Sequence, residues 1–223
     1  MHLLINKKIF IYIFLLILLG TLNNKNLYNF QFPKINKINV IGLDKDENLK
    51  LIDSLDLLKS KNLFTIDKFE IEKILNSNNL IEQHSIIKKY PSSIEIKINR
   101  AEFLARVLKN GKTFYLGSNG KLIFSKKEIK ELPFIFGDFN KKDFFDLIKI
   151  INDSKFNFHQ IKNLFYFGSG RWDIEIYSGV LIKLPRNKLK EAFDLSLKIL
   201  DDDHFNQIKI IDTRQNNQVI IDG

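Results

Sequence analysis

The sequence predicts an α+β protein: an apolar N-terminal helix, then a β-α-α-β-β module, then a strand-rich module that carries helices of its own. Three observations support this fold class. An uncharged apolar run stands near the start of the chain. Apolar residues with helical spacing lie between alternating segments in the first hundred residues, and short strands separated by glycine turns dominate the remainder.

Composition excludes several classes of protein. Of the 223 residues, 44% are hydrophobic and 27% are charged, so most of the chain can form a packed core, which argues against a wholly disordered protein. The chain has no cysteine. Disulfide frameworks, thiolate zinc sites, thiol catalysis and iron–sulfur clusters are therefore excluded.

The net charge of +9 raises the possibility of a nucleic-acid partner. However, the lysines are scattered along the chain in runs no longer than two, and they accompany abundant Ile, Asn and Phe, all of which have A/T-rich codons. A nucleic-acid footprint would place basic residues on one face beside aromatic platforms or a recognition helix. Because neither pattern occurs, base composition explains the charge better, and no nucleic-acid partner is predicted.

The run from Ile9 to Leu22 carries no charge and predicts a transmembrane helix that extends a few residues to either side. About 20 residues cross a hydrocarbon core of about 30 Å, and terminal lysines can reach the interface. Lys7 and Lys8 place the short tail, residues 1–8, in the cytoplasm by the positive-inside rule. The anchor residues expected to face lipid are Ile9, Phe10, Leu15, Leu16, Leu19 and Leu22.

A cleaved signal peptide is the alternative for this segment, with the same lysine pair as its basic start. The sequence after Leu19 offers no A-x-A-like cleavage site, which favours the uncleaved anchor. Both interpretations export the rest of the chain.

After a polar stem at residues 23–32, residues 33–100 predict a compact first module. Strands are expected at residues 35–41, 81–89 and 94–99, the last with isoleucine on one face and polar residues on the other. Helices are expected at residues 46–58 and after Asp67, which with Glu70 forms a helix-start signal. Tyr90 and Pro91 fit the turn between the last two strands.

Residues 101–223 predict the second module. Asn110-Gly111 indicates a hairpin between strands at residues 103–108 and 113–116, and Ser118-Asn119-Gly120 another turn before residues 121–124. Helices are expected at residues 141–153 and 186–200, and further strands at residues 161–167, 172–177, 180–184, 207–213 and 218–221. Trp172 begins an alternating strand, where a large aromatic residue is more often core than contact surface.

No catalytic, cofactor-binding or metal site is predicted. His2, His84, His159 and His204 are dispersed and lack metal-ligand spacing. The Asp201–His204 segment is the best metal candidate, but a hydrated acidic turn after a helix explains it equally well. P-loop and Gly-x-Ser-x-Gly motifs are absent from the sequence, and sequence alone cannot pair the many carboxylates as acid and base.

The last predicted strand contains Val219, Ile220 and Ile221. If it lies at a sheet edge, its unpaired N–H and C=O groups can accept a partner strand. It can equally be a closing strand that its neighbours protect, and the residues alone leave both interpretations open.

Three blocks of sequence resemble the bacterial FtsQ family, called DivIB in some lineages. They are INVIGL, NLFTID and IIKKYPSSIEIKI in the first module; FYLGSNGKLI and LPFIFG in the second; and GRWDIEIYSGVLIKLP with IKIIDTRQNNQVII near the end. The resemblance implies a POTRA domain over residues 33–100 and the family's β domain over residues 101–223. The family often has an aspartate where this chain has Gly117.

The resemblance implies a non-catalytic divisome scaffold in the inner membrane, with both domains in the periplasm at the division septum. It implies binding of the FtsB–FtsL complex by strand addition, and of other divisome proteins through the POTRA domain. Arg214 matches a family arginine positioned to meet an acidic group on the partner. Gln215 stands where some members have an aromatic residue. The expected contact residues are Arg214, Gln215, Gln218, Val219, Ile220 and Ile221.

Two other classes of protein remain as alternatives. A POTRA-bearing polypeptide dock of an export or outer-membrane assembly system usually carries tandem POTRA modules before a β-barrel, and this chain has one module without a membrane-strand repeat. An exported wall-modifying enzyme would need several carboxylates with perturbed pKa values in one cleft.

Overall fold

The computed structural model describes residues 7–22, 31–125, 129–202, 204, 207–215 and 218–223, with α1 side chains described over residues 8–21. The stem up to residue 30, His2 and Asp203 lie outside the described residues. The chain divides into two compact units. The first unit is Met1–Ile74 with Ser85–Lys97, and the second is Leu75–His84 with Ile98–Gly223. The boundary after Arg100 stays a prediction.

The N-terminal apolar run forms helix α1, Lys7–Leu22. Each of its described side chains is exposed, including the expected anchor residues Ile9, Phe10, Leu15, Leu16 and Leu19; the side chain of Leu22 is outside the described set. In the part of the chain that the structure describes, no helix combines the length and the apolar character needed to span a membrane.

Residues 37–100 contain the predicted β-α-α-β-β order: β1 (Lys37–Ile41), α2 (Lys45–Ser54), α3 (Lys68–Ser77), β2 (Ile81–Lys89) and β3 (Ser93–Arg100). The sheet order is β1-β3-β2, with β1 parallel to β3. The helix predicted over residues 46–58 ends at Ser54, and a 3-10 turn, Asp56–Ser60, follows it. Asp67 caps α3 as expected, by accepting from the Phe69 N–H at 3.0 Å.

Apolar periodicity accounts for the core of the first unit. Ile94 and Ile96 on the inner face of β3 are buried, whereas Lys97 on the outer face is exposed. Leu55, Leu63 and Ile71 are fully buried as well. The alternation read from the sequence therefore describes the inner and outer faces of this strand correctly.

The second unit is built on a nine-stranded mixed sheet. Its strands are β4 (Phe103–Lys109), β5 (Lys112–Gly117), β6 (Leu122–Ile123), β7 (Phe134–Phe136), β8 (Ile161–Tyr166), β9 (Trp172–Ile176), β10 (Leu181–Lys183), β11 (Ile210–Asp212) and β12 (Ile220–Asp222). The sheet order is β12-β11-β10-β9-β8-β7-β4-β5-β6. The pairs β4–β7, β7–β8 and β10–β11 are parallel.

Helices α4 (Lys141–Asn152) and α5 (Leu189–Leu200) pack on one face of this sheet. The α4 residues Phe144, Leu147, Ile148 and Ile151 recur at helical spacing and are buried. The sheet residues in the same core are Ala105, Leu116, Ile135, Leu164, Ile174, Ile182 and Ile211. Trp172 is 1% exposed and its ring lies 4.8 Å from that of Tyr166, so its prediction as a core residue is confirmed.

Helix α5 begins later than predicted, at Leu189 instead of residue 186. Lys188 has φ 57°, in the left-handed region that an α-helix does not use. The helix therefore begins at the next residue, Leu189. The turn after Pro185 forms one side of the groove described below.

Candidate functional site

The predicted C-terminal strand exists and lies at an edge of the sheet. β12 pairs antiparallel with β11, and in the described part of the chain no strand lies on its other side. Ile220 is 50% exposed and Ile221 36% exposed, whereas Val219 is half-buried and packs against the core of the second unit. The edge therefore combines accessible backbone groups with accessible apolar side chains.

The neighbouring strand determines which backbone groups of β12 face outward. Thr213 N–H donates to the Lys183 carbonyl at 3.0 Å, and Leu181 N–H donates to the Lys209 carbonyl at 2.8 Å. The Lys209 carbonyl and the Thr213 N–H thus point toward β10, while the Lys209 N–H donates to the Asp222 carbonyl of β12 at 2.8 Å. Because these directions alternate along a strand, Ile211 also faces β10, and its two neighbours face β12.

Ile211 lies opposite Ile221 in the antiparallel pair. In such a pair, a residue that faces away from its partner strand lies opposite one that does the same. The N–H and C=O of Ile221 therefore point away from β11, whereas those of Ile220 and Asp222 pair with it. Ile221 supplies the backbone donor and acceptor that an added strand would meet first.

A groove of about 410 Å³ lies beside this edge, between the start of α5 and residues 213–215 and 218–219. Ala192, Leu195 and Val219 give it apolar walls. The other described lining residues are Pro185, Asn187, Lys188, Glu191, Thr213, Arg214, Gln215 and Gln218. Glu191 is the only carboxylate among the described lining residues, and the remaining polar ones give the groove a rim of basic, amide and hydroxyl groups.

Arg214 is paired within the chain. Its Nε donates to Asp212 Oδ1 at 2.8 Å and its terminal nitrogen to Oδ2 at 2.5 Å, a bidentate arrangement. These hydrogen bonds lower the pKa of Asp212 below its ordinary value. The Arg214 side chain remains 34% exposed at the groove. The acidic group that the resemblance led us to expect on a partner thus has a counterpart in the chain itself.

A row of charged residues crosses the sheet beneath this pair. Lys183 on β10 lies opposite both Asp173 on β9 and Asp212 on β11. Asp173 is 4% exposed, and burial raises its pKa above the ordinary value although Arg171 and Arg214 oppose the shift. Its Oδ1 lies 3.9 Å from Arg171 Nε, and neither atom has a hydrogen-bond partner among the described residues.

The expected contact residues are brought together in part. Arg214, Gln215, Gln218 and Val219 line the groove, while Ile220 and Ile221 form the strand edge next to it. Sequence reasoning missed the contribution of α5 and of the turn at residues 185–188. These segments meet Thr213, Arg214 and Gln215, which lie some 25 residues further along the chain. A local sequence pattern gives no signal for such a tertiary contact.

The metal candidate after α5 is only partly described, because Asp203 lies outside the described residues. His204 Nδ1 lies 2.6 Å from Asp202 Oδ1, and the His204 side chain is 89% exposed. Across the residues that the structure describes, no group of three or more His, Cys, Asp or Glu side chains is placed to hold a metal ion.

Comparison with known proteins gives two family matches that together extend over most of the chain. Residues 34–99 match the family described as "POTRA domain, FtsQ-type", and residues 105–214 match "Cell division protein FtsQ/DivIB, C-terminal". Of the predicted contact residues, only Arg214 lies within the second match; Gln215 and Gln218 to Ile221 lie beyond it.

Individual relatives agree with these matches. The cell division protein FtsQ of Rickettsia bellii (strain RML369-C) is 25% identical over 198 residues, covering 85% of this chain and 72% of the relative. The cell division protein DivIB of Clostridium botulinum (strain Loch Maree / Type A3) is 27% identical over 229 residues, covering 92% and 85%. This chain therefore belongs to the FtsQ/DivIB family of non-catalytic cell division proteins, with an FtsQ-type POTRA domain and the family's C-terminal domain.

Proposed function

We propose that this division protein is a scaffold that binds the FtsB–FtsL complex at β12 and so links septal ring assembly to septal peptidoglycan synthesis. The observation that carries the proposal is the exposed edge of β12 beside a groove with apolar walls and a polar rim. Strand addition satisfies the outward backbone groups of Ile221, and the groove selects the partner through its side chains.

The electrostatics of the groove support a partner with its own charged groups. Arg214 is held in a fixed orientation by Asp212, yet a third of its side chain remains accessible. An acidic side chain on the partner would share the guanidinium with Asp212 and would not have to order it. Pre-orientation of this kind reduces the entropy that binding must overcome.

The proposed location is the inner membrane at the septum, with the N-terminus in the cytoplasm and both domains in the periplasm. Support comes from the exposed apolar side chains along α1 and from Lys7 and Lys8 at its start. Contact with membrane lipid through α1 would keep the scaffold beside other membrane proteins. We further propose that the POTRA domain binds other divisome proteins.

The alternative, a polypeptide dock of an export or outer-membrane assembly system, would also use a POTRA domain. The match over residues 105–214 to the C-terminal domain of cell division proteins favours the scaffold instead.

The experiment is a pulldown of FtsB–FtsL from the same cell by the full chain in detergent, with proline variants at adjacent positions. I221P removes the outward N–H and leaves the β11 pairing, so we expect loss of binding with little change in thermal stability. I221A retains the N–H and should bind. I220P removes an N–H directed at β11 and should lower stability. Binding by I221P at wild-type affinity would exclude strand addition at this edge.

A further inference from the structure

Three aromatic side chains form a contiguous cluster on the surface of the first unit. The Phe64 ring lies between those of Phe32 and Tyr90, with centroid distances of 4.2 and 5.1 Å. Phe32 is 46% exposed, Phe64 56% and Tyr90 60%. Single exposed apolar residues are ordinary, but a contiguous group marks a surface that contacts something apolar.

The backbone beneath the cluster is well fixed. Asn62 Oδ1 accepts from the N–H groups of Phe64 and Thr65 at 3.0 and 2.9 Å. Lys88 Nζ donates to the Leu63 carbonyl at 2.9 Å, and the Leu63 side chain is fully buried. The loop therefore holds the Phe64 ring outward while its neighbour Leu63 anchors it in the core.

All three rings lie at one end of the sheet. Phe32 precedes β1, and Tyr90 precedes β3, which runs parallel to β1. Phe64 contacts both rings. Ile41 is the last residue of β1 and lies at the opposite end of the sheet, about 13 Å from Lys37, since a strand rises about 3.3 Å per residue. The first unit thus has an aromatic end and an end without this cluster.

The aromatic end is also where the chain arrives from α1. Leu22 and Phe32 are ten residues apart, and an extended chain of that length spans at most about 35 Å. An exposed lysine, Lys34, follows Phe32 closely. Aromatic rings beside basic residues are typical of protein surfaces at the boundary between lipid headgroups and water, and lysine near anionic headgroups adds attraction.

We propose that the Phe32–Phe64–Tyr90 cluster docks on the surface of an anionic lipid bilayer, the same bilayer that holds α1. This inference rests on the proposed role of α1 as a membrane anchor. A helix and a nine-residue connection alone would leave the first unit free to turn. Insertion of three rings at the headgroup level fixes which end of this unit faces the membrane.

Tryptophan fluorescence tests the proposal in the full chain. The sequence contains one tryptophan, Trp172, which is 1% exposed and gives a buried, constant background. F64W adds a tryptophan within the cluster, and I41W adds one at the other end of β1, where Ile41 is 44% exposed. Each variant is reconstituted in two kinds of vesicle, phosphatidylcholine with phosphatidylglycerol and phosphatidylcholine alone. Both kinds are prepared with and without brominated acyl chains.

We expect F64W to shift to the blue and to lose intensity in brominated lipid, more strongly with phosphatidylglycerol, and I41W to show neither change. Co-flotation of the protein with vesicles, combined with equal quenching in F64W and I41W, would overturn docking and leave the anchor intact. Failure to co-float would overturn both. A blue shift of F64W that occurs only after addition of FtsB–FtsL would assign the cluster to a protein partner and would exclude the lipid.

Discussion

Arg214 and Asp212 form a bidentate ion pair across a single intervening residue, where β11 ends and the groove begins. Thr213 between them donates from both its N–H and its hydroxyl to the Lys183 carbonyl, each at 3.0 Å. The end of β11 is thus held by the Arg214–Asp212 side-chain pair and by the two hydrogen bonds from Thr213 to β10.

The ion pair predicts a pH dependence of stability. Asp212 has a lowered pKa, chiefly because Arg214 donates to it, so its contribution is complete above the ordinary aspartate value of 3.8 and is lost as pH falls through the lowered pKa. D212N should reduce the free energy of unfolding at neutral pH by about 2 kcal/mol, the scale of hydrogen bonds to charged groups. Urea titrations at several pH values should show this deficit vanish in acid.

Asp173 predicts the opposite trend. Burial is the largest cause of its raised pKa, so the ionised side chain destabilises the folded state at neutral pH. This penalty begins to shrink as pH falls through the raised pKa and is gone below the ordinary value of 3.8. D173N removes the charge with little change of shape, and we expect it to be more stable than the wild type at neutral pH. The gain should shrink in acid. Equal or lower stability of D173N at neutral pH would contradict a net burial penalty and would indicate that Arg171 and Lys183 compensate it.

Local patterns predicted most of the strands and helices because each is short and has a clear apolar period. They missed β7, which has three residues. They also placed the ends of β11 and β12 at residues 207–213 and 218–221, whereas the strands run from Ile210 to Asp212 and from Ile220 to Asp222, because pairing across the sheet decides where each strand ends. The charged row beneath the groove also escaped prediction. Asp173, Lys183 and Asp212 meet through strand register, and the parallel pairing of β10 with β11 joins residues that a helical segment separates.

Asn119 should be a major contributor to the stability of the second unit. Its Nδ2 donates to the carbonyls of Asn79 and Ile81 at 2.9 and 3.0 Å, and its Oδ1 accepts from Lys121 N–H at 2.9 Å. N119A should lower the free energy of unfolding by about 1–3 kcal/mol, since two carbonyls and one N–H lose their partner. N119D retains the acceptor but places a carboxylate against two carbonyl oxygens, so it should lose at least as much.

The same turn leaves little room for a side chain at position 117, where this chain has glycine. A Cβ there would lie 2.8 Å from Asn119 Oδ1 and 3.0 Å from Ile123 Cδ1. The Asn119 side chain cannot move away without releasing its own hydrogen bonds. G117A should therefore destabilise the wild type by more than it destabilises N119A, and a double-mutant cycle of thermal unfolding measures this coupling. Strict additivity would show that Asn119 does not restrict position 117.

Gly137 combines two requirements that can be separated experimentally. Its φ is +99°, and a Cβ would lie 2.1 Å from the Tyr166 carbonyl oxygen on the neighbouring strand. Gly179 has φ +90° with no atom within 4 Å of its Cβ position, so G179A reports the cost of the backbone conformation alone, about 1–2 kcal/mol. G137A adds a backbone clash to that cost. We expect its unfolding, followed by the fluorescence of Trp172, to occur at a distinctly lower denaturant concentration than that of G179A. Equal midpoints for the two variants would mean that β7 and β8 separate easily, and that β7 contributes little to the sheet.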